Sequence, residues 1–192
     1  MTASVTAEVG PSDPSPGWLA RLRGLWKADP KGMSIDLLRV GMGIIWALNT
    51  IFILDPANRY FSTFHGVALS FAPTSLGGPA VANFVASNWF LFAWIIAILT
   101  VYLAVAFLLG ITTRLACVVG GIASIVLLAT QFFSTFQTPG GTDVGPHPLY
   151  LLIYLVLFVG GAGRYLAIDH WIWETGRARG PRLARWLAAP PK

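Results

Sequence analysis

Trp89-Phe-Leu-Phe-Ala-Trp-Ile-Ile-Ala-Ile-Leu-Thr-Val-Tyr-Leu-Ala-Val-Ala-Phe-Leu-Leu109 runs for 21 residues without a charged side chain and stops at Gly110. A bilayer core takes about 20 apolar residues per helix, so this stretch predicts a membrane-crossing helix. Three further runs flank it. Ile35 to Leu54 is opened by Ser34 as the expected N-cap and closed by Asp55-Pro56, and Leu115 to Phe133 follows the short link after Leu109. The last run begins at Pro148-Leu149, and its purely apolar part ends at Gly160-Gly161-Ala162-Gly163. That part is only about 15 residues, or roughly 22 Å at the helical rise. To cross, the fourth span is expected to continue through Arg164 and Tyr165 towards Ile168. Arg164 would then sit near membrane depth, snorkelling or paired.

The whole chain agrees with this reading. Of its 192 residues 55% are hydrophobic and 11% charged, where a soluble domain carries about 25% charge. A soluble protein of this size cannot hide so much apolar surface. The net charge of +5 does not indicate nucleic acid, because the basic residues gather at the chain ends and form no aromatic-interleaved patch. Cys117 is the only cysteine, which excludes an internal disulfide framework and a CxxC relay.

Charge sets the orientation. Arg21, Arg23, Lys27 and Lys31 precede the first span, Arg114 lies in the link between the second and third, and Arg164, Arg177, Arg179, Arg182, Arg185 and Lys192 follow the fourth. The other two links hold one basic residue between them, Arg59. Positive charge stays inside, so both termini are expected in the cytoplasm and both long links outside. The expected fold is an all-α membrane protein: a four-transmembrane-helix bundle, both termini inside, with interfacial amphipathic flanks, in a bacterial-type cytoplasmic membrane. The expected organisation is a disordered tail over 1–16, an interfacial segment over 17–33, the membrane domain over 34–172 and a basic cytoplasmic tail over 173–192. Gly17–Ala28 and Trp171–Leu187 mix tryptophan with arginine, as segments lying at the headgroup level do. Glycines at 41, 43, 120, 121, 160, 161 and 163 are expected to let helices approach closely.

Ionisable groups at membrane depth are costly and mark places to examine. Asp36 and Arg39 are three apart and share a helix face. They can form a structural ion pair or a polar wall of a quinone or anion site. Arg164 follows glycines that give its guanidinium room, with Asp36 and Asp169 as the expected partners on the same membrane side. An arginine with unspent donors there can bind an oxyanion or a quinone carbonyl. Outside, His65 in the first long link and Asp143 and His147 in the second can converge. Histidine titrates near neutral pH and aspartate can relay protons, so the three suit proton exchange with a quinone; alternatively, Asp143 and His147 cap the last span. Two loop histidines do not make a zinc site, and no metal is expected.

Four strings carry a family resemblance: Asp36-Leu-Leu-Arg39-Val-Gly41-Met-Gly43, Leu109-Gly110-Ile-Thr-Thr-Arg114-Leu-Ala, Asp143…His147-Pro-Leu-Tyr150 and Gly161-Ala-Gly-Arg164…Asp169. In this order they resemble the DoxX/DoxD-like integral membrane proteins, with spacing closer to the DoxD branch, over roughly residues 34 to 172. The resemblance implies a four-helix membrane fold and a subunit of a redox system at the quinone pool. The family's named activity is that of the thiosulfate:quinone oxidoreductase large subunit, which works with a smaller partner. Asp36, Arg39, Arg164, Tyr165 and Asp169 would then line an inner quinone or substrate site, and His65, Asp143 and His147 an outer catalytic one. Quinone would enter as substrate, since no flavin, haem or iron–sulfur motif is present. The alternative is a non-enzymatic accessory subunit docked on a larger respiratory or other membrane complex. Expected partners are the lipid bilayer and other membrane or periplasmic subunits, and not nucleic acid.

Overall fold

A computed structural model describes residues 17–70, 78–137 and 147–170, with backbone alone over 128–137. The tail 1–16, the basic stretch 173–192, Trp171–Leu187 and Asp143 lie outside the described residues. Among these, every regular element is helical: α1 (Trp18–Ala28), α2 (Pro30–Leu54), a 3-10 turn (Pro56–Asn58), α3 (Tyr60–Ser70), α4 (Gly78–Ser87), α5 (Trp89–Leu109), α6 (Thr113–Gln137) and α7 (His147–Gly160). Two of them, α2 with 25 residues and α5 with 21, are long and apolar enough to cross a membrane.

The helix ends show which local rules govern the chain. α5 has the bounds its sequence predicts, because Gly110 takes φ +65° and the Ile111 amide reaches back to the Ala106 carbonyl, a C-terminal lock of the Schellman type. α2 starts five residues earlier than Ser34 would set it. Asp29 is its cap and accepts from the Gly32 amide at 3.0 Å, while Pro30 fills the first helical position, where no donor is needed. Ser34 lies inside the helix and its hydroxyl donates to the Pro30 carbonyl.

The fourth apolar run departs most from expectation. α7 stops at Gly160 and does not continue to Ile168. Gly161 turns to φ +68°, and the Ala162 amide closes on the Leu157 carbonyl. Residues 161–167 then return as irregular backbone across the end of the molecule.

Packing pairs α2 with α5 and α6 with α7, and α2 also meets α7. Met42 and Trp46 of α2, Leu103 and Phe107 of α5, Cys117 of α6 and Tyr154 of α7 share one core. There the Trp46 indole donates to the Tyr154 hydroxyl at 2.8 Å, and Tyr154 stacks on Phe107. Gly43 is where α2 and α5 come closest: a β-carbon would stand 2.7 Å from the Leu108 amide nitrogen. Gly41 and Gly121 face open space, so not every glycine in the runs serves packing. The outward faces carry many large apolar side chains, with Leu48 61%, Ile98 64% and Val159 70% exposed.

Candidate functional site

Three of the four resemblance strings meet at one end of the molecule, where α2 begins, α5 passes into α6 and α7 ends. Asp36 and Arg39 sit on the inner face of α2 and are wholly buried, both at 0% exposure. A buried carboxylate must have its lone pairs filled. Asp36 takes the amides of Gly163, Tyr165 at 2.8 Å and Leu166 at 3.1 Å, all from the return segment. Its Oδ1 is also 3.7 Å from Arg39 Nε. Arg39 points the rest of its guanidinium at carbonyls: Nη1 donates to Phe107 and Leu108 at the end of α5, and Nη2 to Leu166. Those carbonyls at the end of α5 have no partner inside their own helix.

Asp169 repeats the device at the next helix end. Its carboxylate accepts from the Thr112 and Thr113 amides at 2.9 and 3.0 Å, at the start of α6. Its own amide donates to the Gly110 carbonyl. Burial pushes the Asp169 carboxyl upward and the Thr113 and Thr112 amides pull against that. A residue more than fifty positions away thus caps α6, with its charge at the positive end of the helix.

Arg164 pairs with neither expected partner. Nε and Nη2 donate to the Gly161 and Gly160 carbonyls, closing the C-terminus of its own helix. Its Nη1 lies 4.0 Å from Asp29 Oδ2. Tyr165 donates its hydroxyl to the same carboxylate at 2.8 Å. The Gly32 amide and the Tyr165 hydroxyl hold the Asp29 carboxyl below the usual range, and the bond to Asp29 raises the Tyr165 phenol. Asp29 is the site residue that sequence reading missed. Its signal was present in Asp29-Pro30-Lys31-Gly32, an acidic cap before proline at a helix start.

The predicted inner residues Asp36, Arg39, Arg164, Tyr165 and Asp169 therefore gather at one end, but as mutual helix caps. Both terminal nitrogens of Arg39 are spent on carbonyls, and each guanidinium nitrogen of Arg164 has an oxygen facing it. Chemically, the arrangement neutralises helix ends.

Of the three outer residues, His65 and His147 are described and Asp143 lies outside the described residues. His65 is exposed on α3. His147 opens α7, half-buried, its ring edge-on to Tyr150 at 6.1 Å and its Nδ1 without a hydrogen-bond partner. No hydrogen bond or ring contact joins the two histidines. Among the described residues no group of three metal-ligating side chains occurs. A cavity of about 350 Å³ lies between α3, α4, α5 and α6, walled by side chains such as Phe64, Val67, Phe92, Ile95, Val119 and Ile122, with no charged group.

Comparison with family models, with curated proteins and with solved structures gave no match.

Proposed function

We propose that the chain is an integral membrane subunit of the DoxX/DoxD-like kind, serving as a non-catalytic scaffold for a larger redox complex. In this reading α2, α5, α6 and α7 cross a bacterial-type cytoplasmic membrane as a four-helix bundle, with both termini inside. The observation that carries the scaffold role is the use of Asp36, Arg39, Arg164 and Asp169. These charges join helix ends to one another.

The membrane setting accounts for that use. α7 is 14 residues long, about 21 Å at the helical rise, so the return segment lies at membrane depth when α7 crosses. Irregular backbone survives there only where its polar groups are satisfied within the protein. Asp36 takes three of its amides and Arg39 the Leu166 carbonyl. The apolar outward faces supply the lipid-facing surface, and the placement of Arg and Lys supplies the orientation.

The catalytic reading, thiosulfate:quinone oxidoreduction, has one observation in its favour. The apolar cavity between α3, α4, α5 and α6 suits a hydrocarbon chain, and His65 follows Phe64 of its wall. Purification in mild detergent separates the two roles. The scaffold reading predicts stoichiometric larger subunits and no bound quinone. Thiosulfate-dependent reduction of a soluble quinone by the isolated chain would overturn it.

A further inference from the structure

The charges of α1 remain outside the helix-end network. At about 100° per residue its apolar side chains, Trp18, Leu19, Leu22, Leu25 and Trp26, fall within an arc roughly 120° wide. Arg21 borders that arc on one side and Arg23 on the other, with Lys27 next to Arg23. The arc is largely uncovered: Trp18 is 69% and Leu19 63% exposed, and no residue of α1 is buried. Arg21, Arg23 and Lys27 are exposed too, and no acidic residue lies within the helix.

The position of this helix is fixed at its far end. Only Asp29 separates α1 from α2, and that residue is bound by the Gly32 amide and the Tyr165 hydroxyl. The corner therefore holds the start of α2 against the return segment, and α1 leaves from that level. Lys31, exposed in the first turn of α2, adds a fourth cation beside the corner.

We propose that α1 lies on the cytoplasmic membrane surface and binds anionic phospholipid headgroups, with its Trp/Leu arc at the acyl boundary and Arg21, Arg23 and Lys27 on the phosphates. Charge complementarity selects the occupant: an apolar arc edged by cations alone matches a negatively charged lipid surface. Tryptophan has the matching shape, an apolar ring with one donor for the headgroup level. The inference rests on the membrane reading above, and its test keeps the two apart.

The full chain carrying Cys117→Ala and Leu19→Cys is labelled with an environment-sensitive fluorophore. It is placed in nanodiscs of phosphatidylcholine alone or of phosphatidylcholine and phosphatidylglycerol in equal parts. A second label at Ile98→Cys, on the outward face of α5, reports membrane embedding. The Ile98 label is expected to emit from an apolar environment in both discs. The Leu19 label is expected to shift to shorter wavelength in the anionic discs, and to lose that shift in R21Q/R23Q/K27Q and at high salt. Retention of the shift in R21K/R23K assigns it to charge. A Leu19 label in water in both discs, with Ile98 in lipid, would give the face to a protein partner or a second copy and overturn the proposal. So would equal burial of the Leu19 label in both discs. An Ile98 label in water would overturn the membrane reading itself.

Discussion

Arg39 has no exposed surface, yet its guanidinium serves two helices and the return segment at once. Removing one member of a buried charge pair leaves the other unpaired and costs about 3–5 kcal/mol. Arg39→Ala and Asp36→Ala are each expected to lose that much in unfolding measured in detergent. The double variant should lose less than the sum, because the two act as one network. Unchanged stability in Asp36→Asn would remove the pairing from the account. Arg164, 19% exposed, should cost less, about 1–2 kcal/mol on change to Ala, through lost charged hydrogen bonds. If it instead binds a ligand, Arg164→Ala loses activity with stability intact. The Asp29 corner carries a pH dependence. Its folded pKa is below the ordinary 3.8, so the stability it adds is present above that value and lost as pH falls through the folded pKa. Tyr165 is raised above its ordinary 10.0, so its contribution holds below that pH and fades as pH rises through the folded value. Asp29→Asn should flatten the acid limb of an unfolding titration, and Tyr165→Phe the alkaline limb.

At the scale of elements, each end of the return segment is set by a distinct device. Gly161 holds a positive φ and a β-carbon there would stand 3.0 Å from Arg164 Nη2. Gly161→Ala is expected to cost about 1 kcal/mol from the backbone conformation alone, read as a lower melting temperature in detergent. Asp169→Ala removes the cap of α6 and should fray its first turn. Hydrogen exchange at Thr112 and Thr113 is expected to accelerate selectively, and uniform acceleration throughout α6 would contradict the capping role. These devices also explain what sequence could and could not reveal. α5 was fully legible, since 21 apolar residues followed by glycine leave one choice. The early start of α2 was legible in Asp29-Pro30 but outweighed by the apolar run, which begins at Ile35. The end of α7 was misread because the thickness of a bilayer was given more weight than the Gly160-Gly161 pair. The capping of α6 by Asp169 was hidden altogether. Its bonds cross 56 and 57 residues, and local spacing says nothing about contacts of that range.

For the molecule as a whole, the charge pattern and the polar end of the fold support one arrangement. Lys31, Arg114 and Arg164 belong to segments that meet at the end where α2 starts and α7 stops, as expected if that end faces the cytoplasm. The Asp36–Arg39 pair was legible from its three-residue spacing, whereas its use was not, because that depends on where residues 163–166 return. The outer site rests on residue types alone: nothing in the sequence neighbourhoods of His65 and His147 sets a distance between them, and Asp143 lies outside the described residues. The central claim, that the chain crosses the membrane with its polar end inside, is tested most directly by cysteine accessibility in spheroplasts. Ser62→Cys on α3 and Lys31→Cys in α2, each with Cys117→Ala, are treated with a membrane-impermeant maleimide before and after lysis. The account predicts that Ser62→Cys is labelled in intact spheroplasts and Lys31→Cys only after lysis. Labelling of both sites before lysis, or the reverse order, would contradict it.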